Sequence, residues 1–193
     1  MPSPARRAAW SIAALALASG GCITLHGGIG PTQSSAGSTG MLATAGLAVG
    51  YSFPGHQGVY ISPNGGVLYD RHARAVLFDS IDYQNFGGPW PFRVGVRFGP
   101  VFGRDRYGLP DRTMVGGAMT WFPFAHRLGG GGSDYHSEKG WTDFDLFPRL
   151  ATWRAVGVEV AVDAHLPDTG SPERTAVLVT VSVVGELITM RDR

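Results

Sequence analysis

Residues 155–166 read AVGVEVAVDAHL, with Val156, Val158, Val160 and Val162 at every second position and Gly157, Glu159, Ala161, Asp163 and His165 between them. Alternation of this kind belongs to a β-strand with two unlike faces, because successive side chains leave a strand on opposite sides. In MLATAGLAVGYSF, Met41, Ala43, Ala45, Leu47, Val49, Tyr51 and Phe53 oppose Leu42, Thr44, Gly46, Ala48, Gly50 and Ser52. In FRVGVRFGPVF, Phe92, Val94, Val96, Phe98 and Phe102 oppose Arg93, Gly95, Arg97, Gly99 and Val101. DFDLFPRL sets Phe144, Leu146 and Leu150 against Asp143, Asp145 and Arg149, and TAVLVTVSVVGEL sets Val177, Val179, Val181 and Val183 against Leu178, Thr180 and Ser182.

With the less regular runs 58–70, 74–83 and 113–124, the pattern predicts eight strands: 41–53, 58–70, 74–83, 91–102, 113–124, 142–151, 155–166 and 175–189. Within 58–70, the stretch SPNGG fits either a hairpin turn or a bulge in one longer strand. The apolar face keeps its parity between Leu150 and Val156, which a two-residue turn would reverse, so a three-residue loop is expected around Thr152, Trp153 and Arg154. Past residue 22 no segment repeats the i, i+3, i+4 apolar spacing with caps at its ends, and no helix is predicted.

Large apolar side chains take one face of several strands, and the other face mixes small residues with Arg93, Arg97, Asp143, Asp145, Arg149, Glu159, Asp163 and His165. A soluble sandwich places bulky residues inward and charges outward. An eight-stranded barrel in lipid does the reverse, filling a narrow interior with small and polar groups. The fold class read from the chain is therefore all-β: a single antiparallel up-and-down β-barrel of about eight strands over 41–190. Glycine supports this, since 29 of 193 residues is about twice the usual share of roughly 7%. Three arginines against four carboxylates on the inner face predict a paired ion network that closes the interior to flow.

The first 22 residues, MPSPARRAAWSIAALALASGGC, carry Arg6 and Arg7, an apolar run from Ala8 to Ala18, then small residues and the single cysteine, Cys22. This is the layout of a secretory signal, and the run is shorter than the roughly 20 residues of a spanning helix. Residues 1–21 are read as the signal, and 22–40, rich in Gly, Ser and Thr, as a flexible tether. A cysteine just after a small-residue cleavage site resembles the lipobox of bacterial lipoproteins, which implies lipidation of Cys22. Ordinary cleavage after Ala18 or Gly20 is the alternative. Loss of Arg6 and Arg7 takes the 16 basic side chains to 14 against 15 acidic ones, a balance that points to no nucleic-acid partner.

The strand number, the two-residue pattern and the charged inner face resemble the small eight-stranded outer-membrane β-barrels of the OmpA and OmpX type. The resemblance implies a bacterial outer-membrane or cell-envelope location, membrane lipid as a partner, and loops that meet surface partners. The loops expected to face outward are 84–91, 126–140 and 166–174. Aromatics near the predicted strand ends, Tyr51, Phe53, Trp90, Phe92, Phe102, Trp121, Phe122, Phe124, Trp141 and Trp153, fit interfacial girdles of that class as well as ordinary core positions.

No catalytic constellation, cofactor motif or metal site emerges. The six histidines form no HExxH pair, and His126, Asp134 and His136 are the nearest approach to a ligand set. The Gly129–Gly132 run lacks the Lys-Ser/Thr of a phosphate loop. Asp163 and His165, with Ser182 or Thr180, supply part of a nucleophilic site without an oxyanion donor. The reading is a non-enzymatic barrel with a structural or surface-recognition role and no cofactor. The alternatives are a lipid-anchored soluble barrel of lipocalin type holding an apolar ligand and, at lower weight, a barrel-type lipid hydrolase.

Overall fold

The computed structural model describes residues 21–53, 55–70, 73–102, 110–131, 150–167 and 175–191. Eight strands follow in order: β1 Gly21–Ser34, β2 Thr39–Phe53, β3 Gln57–Tyr69, β4 Ala73–Asn85, β5 Phe92–Phe102, β6 Pro110–Gly131, β7 Leu150–Pro167 and β8 Ala176–Arg191. Each pairs antiparallel with the next, and β8 pairs with β1 to close the barrel. The described residues contain no helix. The expected all-β, up-and-down, eight-stranded barrel is the observed fold.

Two strands differ from the sequence reading. Residues 22–40, expected as a tether, supply β1 and the start of β2, so the barrel begins at Gly21 rather than Met41. The region reads as a linker because its outward face is sparse, with Leu25 and Ile29 exposed, and its inward face is small. That smallness is demanded by packing: a Cβ on Gly30 would lie 1.9 Å from the Val181 carbonyl oxygen. Leu150–Pro167 run as one strand, so Thr152, Trp153 and Arg154 lie within β7 and form no loop. An unbroken strand is the simplest reason for the parity kept from Leu150 to Val156. The rest of the predicted strand 142–151 and the leader 1–20 lie outside the described residues. SPNGG, read as a turn or a bulge, stays inside β3, paired with β4 in constant register from Ser62↔Ser80 to Gly66↔Val76.

The added first strand changes which end each connection occupies. The connection after β4 and the one after β6, expected to face the same way as 166–174, open at the end where β1 starts and β8 finishes. Of the three, only 166–174 is flanked by strand ends at the other end of the barrel, as are 35–38, 70–72 and 103–109. The tight turns use left-handed residues, Gly37 at φ 85° in the first and Gly55 at φ 85° with His56 at φ 59° in the second.

The two faces part cleanly. Val156, Val158, Val160 and Val162 point outward with Leu25, Leu47, Ile61, Val96, Met119 and Val181, all exposed. The interior is filled in layers. Cys22, Ala48, Tyr60, Phe86, Phe122, Ala155, Ile188 and Met190 form an apolar layer at the end holding the termini. Leu42, Leu68, Val76, Phe78, Val101, Met114 and Leu178 form another toward the opposite end. Between them lies the charged layer.

Closure through β1 is essential to this arrangement. Deleting residues 21–34 leaves β2 and β8 with unpaired edges and should abolish the cooperative unfolding transition. Circular dichroism melts of refolded protein check this, and a deletion variant melting like the full barrel would contradict the assignment of β1.

Candidate functional site

The charged layer is built mainly from β5, β7 and β8. Arg93 and Arg97 lie four residues apart on β5, so both point inward. Glu159 and Asp163 have the same spacing on β7. Arg93 donates to Glu159 (Nη2 to Oε2, 2.7 Å), to the Thr120 hydroxyl (3.2 Å) and to Glu186 on β8. Arg97 donates to Glu159 Oε1 (3.2 Å) and engages both carboxylate oxygens of Asp163, its Nε reaching Oδ1 at 3.2 Å. Thr120 in turn donates to Glu159 Oε2 at 3.1 Å. Glu159 therefore bridges the two guanidinium groups, and Arg97 also lies 5.2 Å from the centroid of the Phe78 ring.

A second hydrogen-bonded chain, ending on Asp82, covers the facing wall. His26 Nε2 and Asn64 Oδ1 are 2.6 Å apart, Asn64 Nδ2 donates to the Ser80 hydroxyl (3.3 Å) and to the Ser62 carbonyl (2.7 Å), and Ser80 donates to Asp82 Oδ2 (2.5 Å). The layer fits because glycines face its largest members. A Cβ on Gly46 would meet Asn64 Oδ1 at 2.1 Å, on Gly95 it would meet Asp82 Oδ1 at 2.0 Å, and on Gly116 it would meet Asp163 Oδ1 at 2.2 Å. The space left at the centre is about 20 Å³, room for about one water molecule.

Of the residues expected in the inner network, Arg93, Arg97, Glu159 and Asp163 meet in this layer. His165 also points inward but stands at the mouth away from the termini, where it lines a cavity of about 160 Å³ with Asp70, Arg74 and Arg112. Asp143, Asp145 and Arg149 lie outside the residues whose side chains are described. Sequence reasoning missed Glu186, Asp82, His26 and Asn64. Glu186 shares parity with Leu178, Thr180, Ser182 and Val184, all buried, and following that alternation further would have found it.

The groups of the hydrolase alternative are not assembled. Both oxygens of Asp163 are taken by Arg97. His165 is in register with Ala176 on β8, whereas Ser182 is in register with Glu159, six residues further along, a separation of roughly 20 Å at the rise of a strand. Thr180 donates to the Thr32 hydroxyl at 3.1 Å. Among the described residues no three His, Cys, Asp or Glu side chains are placed to hold a metal ion; Asp134 and His136 fall outside them.

Cys22 lies in β1, buried and packed in the apolar layer with Tyr60. A diacylglyceryl group on its sulfur has no room there. Lipidation and the observed pairing of β1 compete for this residue, and an anchor at Cys22 would require the first residues of β1 to leave β2 and β8.

Arg93 is the group on which Glu159 and Glu186 both depend. Arg93→Met should lower the free energy of unfolding by about 3–5 kcal/mol, the usual loss when one partner of a buried pair is removed. Adding Glu159→Gln and Glu186→Gln to Arg93→Met should recover part of that loss. Urea titrations of the single and triple variants measure both effects, and a loss below about 1 kcal/mol for Arg93→Met would mean that these pairs are not made in solution.

Set against protein-family models, curated proteins and solved structures, the chain matches none of them.

Proposed function

We propose that the chain is an integral outer-membrane β-barrel of a bacterial cell envelope, closed to flow and without enzymatic activity, serving a structural or surface-recognition role. The observation that carries this reading is the inversion of the two faces. Bulky apolar side chains cover the outside, while the arginines and carboxylates of the central layer are buried within. Water does not tolerate an exposed valine, leucine and isoleucine belt around a whole barrel, whereas a hydrocarbon bilayer does. Aromatics at the end holding the termini add support: Tyr51, Phe53, Trp90, Trp121 and Phe124 are exposed there, in the manner of an interfacial girdle. Phe122 and Trp153, grouped with them in the sequence, turn inward instead.

The soluble lipocalin-type reading needs a roomy apolar calyx. Two apolar layers and a charged one occupy that space here. With the termini on the periplasmic side, surface recognition would use the connections at the opposite end, 103–109 and 168–175, rather than 84–91 or 126–140.

Two measurements test the proposal. A Cys22→Ala protein, exported through ordinary signal cleavage, cannot carry a lipid anchor on that residue, and it should still require detergent for extraction. Recovery of this variant as a folded soluble monomer would sink the membrane-spanning reading. In planar bilayers the reconstituted protein should give no sustained conductance, because an eight-stranded interior holds only side chains; stable open channels would contradict the closed interior.

A further inference from the structure

β6 outlasts its neighbour on one side. Its pairing with β5 ends at Phe92↔Trp121, but it continues to Gly131 against β7, through register shifts at Trp121/Phe124 and Arg127/Gly129. The connection 86–91 stands where β5 would have continued. It is held at both ends, since the Phe86 N–H donates to the His56 carbonyl and the Phe122 N–H to the Pro91 carbonyl, each at 2.9 Å. Its fit against the β2–β3 turn is close: a Cβ on Gly87 would lie 1.9 Å from the Gly55 carbonyl oxygen.

Between this fixed connection and the overhanging β6 lies a cavity of about 530 Å³, within the roughly 300–1,000 Å³ of small-ligand sites. Its lining passes from one side of the wall to the other. Trp90 and Trp121 are exposed on the outer face with ring centroids 5.9 Å apart. Phe86 and Phe122 belong to the inner apolar layer, and Trp153 packs against that layer, 5.6 Å from His56. Among the described residues the lining contains no aspartate, glutamate, lysine or arginine, so these residues offer no countercharge to an ionic ligand, and their aromatic and proline surfaces favour hydrocarbon.

We propose that this crevice receives the hydrocarbon chain of a membrane amphiphile, entering sideways through the barrel wall. The proposal rests on the reading that the barrel spans a bilayer. The occupant follows from continuity, because the outer mouth at Trp90 and Trp121 runs into the exposed apolar belt, where Trp121 pairs with Val158 and lies two residues from Met119. In a bilayer the apolar groups that press on such a mouth are acyl chains. The fixed connection keeps the site formed beforehand, so little ordering opposes entry.

Single-tryptophan proteins in phosphatidylcholine vesicles with chain-brominated lipid test this, since bromine quenches only nearby indoles. One protein keeps Trp153 alone, with the other tryptophans changed to Phe; a second has all five native tryptophans changed to Phe and carries Val160→Trp on the outer belt. Both should be strongly quenched. Filling the crevice with Gly88→Leu should restore most of the Trp153 fluorescence and leave the Val160→Trp signal quenched. Gly88 has open space where a side chain would stand, and Ala125→Phe, which fills the cavity from β6, serves if the first variant folds poorly. Quenching of Val160→Trp without quenching of Trp153 leaves the barrel in the membrane and overturns the crevice. Trp153 quenching that survives both filling variants also overturns it, because the bromine would then act through the wall. An unquenched Val160→Trp removes the membrane reading and the crevice with it.

Discussion

Closure of only eight strands is the constraint from which the rest of this molecule follows. A sheet that bends back on itself over so few strands satisfies its backbone groups between strands and leaves an interior too narrow for anything but side chains. Every inward position must then be filled, and every charge placed there must find a partner. Glycines stand wherever a neighbour's side chain or backbone occupies the space of a Cβ, as Gly46, Gly95 and Gly116 do beside Asn64, Asp82 and Asp163. Arg93, Arg97, Glu159, Asp163, Glu186 and Asp82 gather in one belt between two apolar layers, where desolvation strengthens each pair and makes each unpaired member costly.

Within that belt the charges are unequal in importance. Two guanidinium groups, Arg93 and Arg97, face Glu159, Asp163, Glu186 and Asp82. Glu159 couples the arginines, Thr120 orients Glu159, and Asp82 is held by Ser80. Such a belt fixes strand register, since a slip of one residue on β5 would turn both arginines outward.

Much of this was legible in the chain. Strict alternation in β2, β5, β7 and β8 identifies the strands and their faces, and by itself it places Arg93, Arg97, Glu159 and Asp163 inside. What escaped has physical causes. β1 is poor in outward bulk and rich in inward glycine, so it resembles a linker, and its loss from the reading carried His26 with it. Asp82 sits on β4, where the inward Val76 and Phe78 are as bulky as the outward Leu77 and Ile81, so alternation of size gives no signal. The parity from Leu150 to Val156 fits a three-residue loop and an unbroken strand equally well, so alternation alone does not separate the two. Missing β1 and adding a break in β7 offset one another in number, while exchanging the ends at which two connections emerge.

The pairing of β1 with β8 also sets the order of assembly. Every other strand meets its partner through the next connection in the chain, but Ile23 must wait for Thr189 and Leu25 for Leu187. The first strand of the barrel is thus among the last to acquire its second neighbour, and bringing the two ends of the sheet together costs the loop entropy of almost the entire barrel. Until that step β1 and β8 are open edges on a chain with an apolar outer face. Edge-to-edge pairing between chains then competes with closure of the seam, and the β1–β8 register decides which of the two wins.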